Sequence, residues 1–248
     1  MDNKEAYTDF ALVYDELMID IPYDAYVDLI SLAADGIKEK KIIDVGCGTG
    51  LLSVKLSQGG AFVTGIDLSR DMLNVAEKRA NDLSLDIDFL EKPMQAIEGE
   101  EQFDVAVIAI DSLNYLPDRE SVLDTFNGIH SVLKNGGVLV FDVHSTFKTD
   151  VIFMEGPFTF NNDRIAYIWN TEEGDEEHSV MSELSFFVKE DSGLYRRFDE
   201  RHQQRTFHVY EYVDLLREAG FTIERIFADW EDEPPHEESE RIFFQARK

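Results

Sequence analysis

The chain has 248 residues, 44% of them hydrophobic and 30% charged, which suits one globular domain carrying at most a subdomain. Its 51 acidic residues outnumber 23 basic ones, and the formal net charge of −28 repels phosphate backbones and anionic headgroups, which speaks against nucleic acid and membranes as partners. The single cysteine, Cys47, excludes an internal disulfide, no Cys/His cluster has zinc spacing, and the absence of a secretion signal or bilayer-spanning apolar run makes a cytoplasmic protein the expectation.

Strand-like and helix-like stretches alternate from the start. Tyr7, Phe10, Tyr14 and Leu17 precede a helix predicted from near Pro22, with Tyr26, Leu29, Ile30 and Ala33 on one side. A β-branched run over 41–45 ends in glycines, a helix over 51–56 stops at Gly59-Gly60, and a second strand covers 61–66. Ser69 is placed to cap a helix with Met72, Leu73, Ala76 and Ala80 on one face. Further strands are predicted over 87–90, 103–110 and 138–143. Between the last two lies a helix capped by Asp118, with Val122, Phe126, Ile129 and Leu133 in a stripe and Asn135-Gly136-Gly137 as its end. Apolar runs of this kind read as strands buried on both faces, so the sheet is expected to be mostly parallel.

The alternation breaks after His144. No helical stripe appears over 158–206; strands are predicted over 165–169, 180–188 and 194–207, with Asp191-Ser192-Gly193 as a turn. This reads as an antiparallel β insertion. A helix with Val209, Tyr212, Val213 and Leu216 on one face then ends at Gly220, and two closing strands flank Pro234-Pro235.

The strongest chemical signal is Asp44-Val45-Gly46-Cys47-Gly48-Thr49-Gly50, a strand that ends in a glycine loop opening a helix. Such a loop lets a ligand approach the main chain, and the helix N-terminus favours an anionic group. Asp67 ends the next strand about 20 residues on, where a carboxylate can hydrogen-bond a ribose diol. Together they specify a nucleoside-containing ligand. The Gly-x-Gly-x-Gly spacing differs from the Gly-x-Gly-x-x-Gly of dinucleotide folds, and no Gly-Lys-Ser/Thr follows as in a P-loop.

This loop resembles motif I of the class I S-adenosylmethionine-dependent methyltransferases. Over nearly its whole length the chain looks most like their bacterial YqeM-like subgroup of small-molecule methyltransferases. The matching stretches are Tyr7-x-x-Phe10-Ala11-x-x-Tyr14-Asp15, the glycine loop, Asp111-Ser112-Leu113-Asn114-Tyr115-Leu116, Phe141-Asp142-Val143-His144 and Glu200-x-His202-x-Gln204-Arg205. The resemblance implies an α/β fold, a doubly wound, mostly parallel seven-stranded sheet with a reversed C-terminal hairpin. The methyltransferase domain would comprise residues 1–146 and 207–248, and a β-rich substrate lid residues 147–206. It implies S-adenosylmethionine as cofactor and a small-molecule methyl acceptor. Adenosyl contacts are implied from Asp67, Leu68 and Met94, and methionine-end contacts from Tyr14, Gly46 and the backbone near Ala109. Asp44, Cys47, Gly48, Gly50, Met72 and Asp111 complete the expected cofactor set. One departure stands out: where the family often has an acid for the adenine amino group, this chain has Pro93 before Met94, leaving adenine to packing and the Met94 main chain.

Residues just beyond the fourth and fifth strands of such a sheet face the ligand crevice, which nominates Asp111, Asn114, Tyr115 and His144. His144 has the pKa range of a general base, Tyr115 either packs or offers a hydroxyl, and Asp111 is equally a turn cap. Glu200, His202 and Gln204 alternate on one strand face, which is either solvated or part of the lid lining. His202 is a candidate for proton transfer and Arg205 for gripping a substrate carboxylate. The catalytic candidates are therefore His144, Tyr115, His202 and Arg205. Rival readings are a cofactor-binding module without turnover, an NAD-dependent oxidoreductase, disfavoured by the glycine spacing, and an RNA methyltransferase, disfavoured by charge. The charge makes a direct prediction: a gel-shift assay with tRNA or duplex DNA at physiological salt shows no complex, because few cations are available to release counterions.

Overall fold

The computed structural model describes residues 21–100 and 102–248; Tyr7, Phe10, Tyr14 and Leu17 lie outside the described residues. Helix α1 (Tyr23–Ala33) buries Tyr26, Leu29, Ile30 and Ala33, the predicted stripe. Then follow β1 (Lys41–Val45), α2 (Leu51–Gln58), β2 (Phe62–Asp67), α3 (Arg70–Asp82), β3 (Ile87–Glu91), β4 (Phe103–Ile108), α4 (Arg119–Val132) and β5 (Leu133–His144). After the insertion come α5 (Val209–Glu218), β10 (Thr222–Ala228) and β11 (Arg241–Arg247).

These strands form a seven-stranded sheet in the order β10-β11-β5-β4-β1-β2-β3, parallel except for β11, which runs antiparallel to both its neighbours. β4 and β5 are apolar and buried on both faces, as a central parallel strand must be. One face packs against α4 and α5 through Phe126, Ile129, Leu215 and Leu216; the other packs against α1 and α2 through Ile30, Leu52 and Leu56. The chain order reverses between β1 and β4, so a crevice opens there at the C-terminal ends of the strands. No helix among the described residues is long and apolar enough to cross a membrane.

Helix α4 is shorter than expected at its C-terminus. Leu133 turns extended (φ −73°, ψ 140°) and pairs with Phe103, so it opens β5 where the sequence pattern reads it as the last residue of the helix stripe. The side-chain oxygen of Asp118 caps the other end by accepting Ser121 N–H at 2.8 Å.

The insertion is an antiparallel sheet, β6 (Phe158–Asn161), β7 (Ile165–Glu173), β8 (Ser179–Lys189) and β9 (Tyr195–Arg205), in sequential order. Its two ends meet at the end of β5. Thr206 Oγ1 donates to His144 O at 2.6 Å, while Asn114 accepts His144 N–H at 2.9 Å and donates to Arg205 O at 2.8 Å. The far end is anchored by packing: Ile165, Phe186, Val188 and Phe198 bury Met72 of α3 among them. Met72, expected at the cofactor, thus has its side chain packed against the insertion sheet from the first turn of α3. The six residue steps of β9 from Phe198 to Gln204 span roughly 20 Å, so β9 runs between α3 and the end of β5.

Truncating Met72 therefore loosens the insertion sheet before it loosens the main sheet. Met72→Ala is expected to cost about 2–5 kcal/mol, the range for a buried methionine, and to raise hydrogen exchange in β7–β9. Exchange that rises in β1, β4 and β5 instead places the anchor elsewhere.

Candidate functional site

The glycine loop is built from backbone contacts that leave one side open. Gly46 and Cys47 N–H both donate to Ile66 O, at 2.8 and 2.9 Å, closing β1 onto β2. A Cβ at Gly50 would lie 2.8 Å from Ala76 Cβ, so that glycine lets α2 and α3 approach. One at Gly46 would lie 2.8 Å from Ser112 Cβ. At Gly48 (φ +53°) a Cβ would meet nothing within 4 Å, so the loop presents bare main chain to a cleft there. The cleft is lined by Tyr23, Asp44, Cys47 and Thr49 on one side and by Ala109, Ile110 and Ser112 on the other.

Asp44 is the one carboxylate among the residues lining this cleft. It accepts Ser53 Oγ at 2.5 Å, and burial pushes its pKa up to about 6 despite that bond. Burial, with Asp44 and Asp67 close by, also raises the Cys47 thiol well above its usual value, so it stays protonated. Asp67 ends β2 as expected. Its Oδ2 accepts Gly48 N–H and its Oδ1 accepts Ser69 N–H, both at 2.8 Å, and burial nonetheless raises its pKa. The adjoining Leu68 is 71% exposed, an apolar side chain held out beside the crevice. Met94 is half-buried against the core, with its Cε 3.6 Å from the Cβ position at Gly46. These residues suit a nucleoside and amino-acid ligand: an open main-chain cradle, a carboxylate at the ribose position and an apolar flank.

The turn after β4 holds the densest polar cluster. Ile110 and Asp111 both have left-handed backbone, φ +58° and +51°. For residues with a Cβ such a conformation costs about 1–3 kcal/mol each and persists only when its surroundings fix it. The Asp111 carboxylate was expected at the cofactor, but its oxygens are already engaged. Oδ1 accepts Arg241 Nη2 at 2.8 Å; Oδ2 accepts Gln204 Nε2 at 3.0 Å and lies 3.3 Å from His144 Nε2. Burial alone would raise Asp111, yet His144 and Arg241 hold it well below the usual carboxylate range. His144 is buried, with its ring edge-on to Phe153 at 5.1 Å and Nδ1 without a hydrogen-bond partner. Its ring thus faces Asp111 and Phe153, and it does not line the cleft.

The face of the 200–205 strand that carries Glu200, His202 and Gln204 is turned inward and is not a solvated face. Glu200 is 4% and Gln204 9% exposed, while Arg201 and Gln203 on the other face are exposed. His202 lies on the inner face, Nδ1 3.2 Å from Tyr115 Oη, and burial lowers its pKa. Arg205 departs from expectation. Alternation puts it on the opposite face from Gln204, and its guanidinium contacts protein: Nη1 donates to Pro117 O at 2.9 Å and Nε to Glu177 O at 3.2 Å, above the Phe207 ring. It ties the stem of the insertion to the core through Nε and Nη1.

Sequence reasoning missed Arg241, Asp142 and Tyr26 as site residues. Arg241 bridges Asp111 and Asp142, and Tyr26 Oη donates to Asp142 Oδ1 at 2.9 Å. The signal was an aspartate inside the apolar run of β5, which needs a buried partner, and an arginine opening an otherwise apolar last strand.

Comparison with known proteins accords with this geometry. A methyltransferase-domain family model matches residues 42–137, from β1 through the start of β5. A candidate methyltransferase from Geobacillus sp. (strain WCH70) is 46% identical, with 98% of this chain and 99% of that protein covered. YqeM of Bacillus subtilis (strain 168), also a candidate methyltransferase, is 45% identical, with 98% and 97% covered. The crystal structure of an S-adenosylmethionine-dependent methyltransferase from Clostridium acetobutylicum ATCC 824 superposes with a TM-score of 0.87 at 26% identity, covering 97% of this chain and 98% of that one. With the glycine loop, the Asp67 carboxylate and the seven-stranded sheet in place, the chain belongs to the YqeM-like S-adenosylmethionine-dependent methyltransferases.

Proposed function

We propose that the enzyme transfers a methyl group to a small polar molecule held between the crevice and the inner face of β9, and that it works in the cytoplasm. The observation that carries this reading is the placement of His202 and Gln204 on the roof of the crevice, in contact with Tyr115 and Asp111. A lid fastened at both ends suits a compact acceptor better than a polymer, and the net charge of −28 disfavours RNA.

S-adenosylmethionine supplies an electrophilic methyl group on a sulfonium leaving group. On this reading Gly46, Gly48 and Asp44 receive its methionine end, and Asp67, Leu68 and Met94 its adenosine. The protein's remaining work is alignment, which can be worth about 7–11 kcal/mol for a well-oriented pair. The lid strand excludes water and fixes the acceptor. His202, kept neutral near pH 7 by burial, is suited to take the acceptor's proton. The tautomer that donates Nδ1–H to Tyr115 Oη puts the imidazole lone pair on Nε2, and Tyr115 thereby sets the ring orientation. Asp111, Asn114 and His144 hold the lid stem.

Incubation with S-adenosylmethionine and fractionated cell extracts tests the assignment. Formation of S-adenosylhomocysteine with a low-molecular-weight fraction supports it; turnover only with an RNA or protein fraction overturns it. Two further outcomes follow from the charges. Binding of the cofactor's ammonium favours ionised Asp44, whose pKa stands at about 6 in the free protein. Below that pH a proton must leave on binding, so affinity falls by up to about tenfold per pH unit and is level above it. Calorimetry with S-adenosylhomocysteine from about pH 5 to 8 checks this, and Asp44→Asn flattens the profile. Once an acceptor is found, kcat/KM rises with pH through a value below the ordinary histidine pKa and then levels, because only neutral His202 accepts a proton. His202→Ala lowers kcat by about 10²–10⁴ with S-adenosylhomocysteine affinity unchanged.

A further inference from the structure

Two buried side chains, Asp142 and Tyr26, and the part-buried Arg241 converge on the turn after β4. Asp142, in β5, has no solvent exposure. Its Oδ1 accepts Ile110 N–H at 2.7 Å and Tyr26 Oη at 2.9 Å; its Oδ2 accepts Asp111 N–H at 3.0 Å and the Arg241 guanidinium. The other arm of Arg241 reaches Asp111 Oδ1 at 2.8 Å. Two consecutive amides in left-handed backbone thus point at one carboxylate, and Ile110, being β-branched, adopts φ +58° only when held.

The held turn has two working sides. Ala109, Ile110 and Ser112 form one wall of the cleft, with Ser112 Oγ donating to Gly46 O at 3.2 Å. On the other side the Asp111 carboxylate receives Gln204 of β9 and His144 of the lid stem. We propose that Asp142 and Arg241 are positioning residues for methyl transfer: they lock the 109–112 turn so that one piece of backbone sets both the cofactor cleft and the seat of the lid strand, coupling cofactor binding to lid docking. This rests on the reading of the cleft as the cofactor site.

An ion pair that served stability alone would need neither the second carboxylate nor the paired amides. The planar fork of arginine spans Asp142 and Asp111 at once, whereas a lysine ammonium would keep the charge and lose the span. Arg241→Lys is therefore the informative change, measured by calorimetry with S-adenosylhomocysteine alongside thermal unfolding. Loss of a charged buried hydrogen bond is expected to weaken binding about tenfold. Gln204→Met, which removes the lid contact at constant bulk, also weakens binding, and the double variant binds no more weakly than Arg241→Lys, since both act through Asp111. Unchanged affinity with a lowered Tm, or losses that multiply in the double variant, overturns the coupling. Tyr26→Phe removes one bond to Asp142 and serves if the lysine variant does not fold; a weaker affinity supports the proposal and an unchanged one counts against it. Asp67→Ala separates the premises: if it leaves affinity intact, the cleft is not the cofactor site; if it abolishes binding while Arg241→Lys does not alter it, only the coupling falls.

Discussion

The crevice depends on a carboxylate that water never reaches. Asp142 accepts hydrogen bonds from α1, from two successive amides after β4 and from the first residue of β11, elements up to 215 residues apart in the chain. Burial of an anion is costly, and here the cost is offset by four donors, one of them charged. The balance is close: burial pushes the pKa of Asp142 up, Arg241 pulls it down, and nearby Asp111 raises it again. The same guanidinium also serves Asp111, so both acids share one cation. Removing either acid would leave Arg241 with half its neutralisation, and removing Arg241 would leave two buried anions facing each other.

Around this centre the crevice is acidic at every turn, with Asp44 and Asp67 near the glycine loop, Asp111 behind it and Glu200 above. The two acids at the glycine loop are raised by burial, so an incoming cation relieves a cost already present in the free protein. A sulfonium-bearing cofactor carries such a charge. Its demethylated product lacks the sulfonium, so with the cofactor placed as proposed the same acids favour exchange of product for fresh cofactor. The global charge of −28 therefore has a local counterpart in the site, and the two act in the same direction on a positively charged ligand.

Much of the main sheet was legible because its signals are local. Apolar runs such as 103–108, helix stripes such as Val122, Phe126 and Ile129, and the Gly46-x-Gly48-x-Gly50 loop with Asp67 each specify structure within a short window. Inward alternation of Glu200, His202 and Gln204 was legible as a shared face, though not which way that face pointed. What lay beyond reading was long-range pairing. Nothing near Asp111 in sequence announces Arg241, and nothing near Met72 announces Phe186 and Phe198 as its neighbours. The contacts of Arg205 were hidden for the same reason: its partners Pro117 and Glu177 meet only when the insertion folds back. β6 was missed because its four residues run straight into the Asn162-Asp163-Arg164 turn and carry no alternation long enough to register.

The lid is moored at its two ends by forces of different kind. One end is apolar, with Met72 enclosed by Phe186, Phe198, Ile165 and Val188; the other is polar, with Gln204, Asn114 and Thr206 bonded to the stem. Apolar burial weakens on cooling, because its driving force near room temperature is entropic, whereas hydrogen bonds between polar groups carry a favourable enthalpy. The strap therefore has a thermal asymmetry: in the cold the α3 end is the looser mooring and the β5 end the hinge, and warming shifts the slack toward the polar end. With the cofactor and acceptor placed as proposed, beneath different parts of this strap, the enzyme would then admit its two ligands with different temperature dependences.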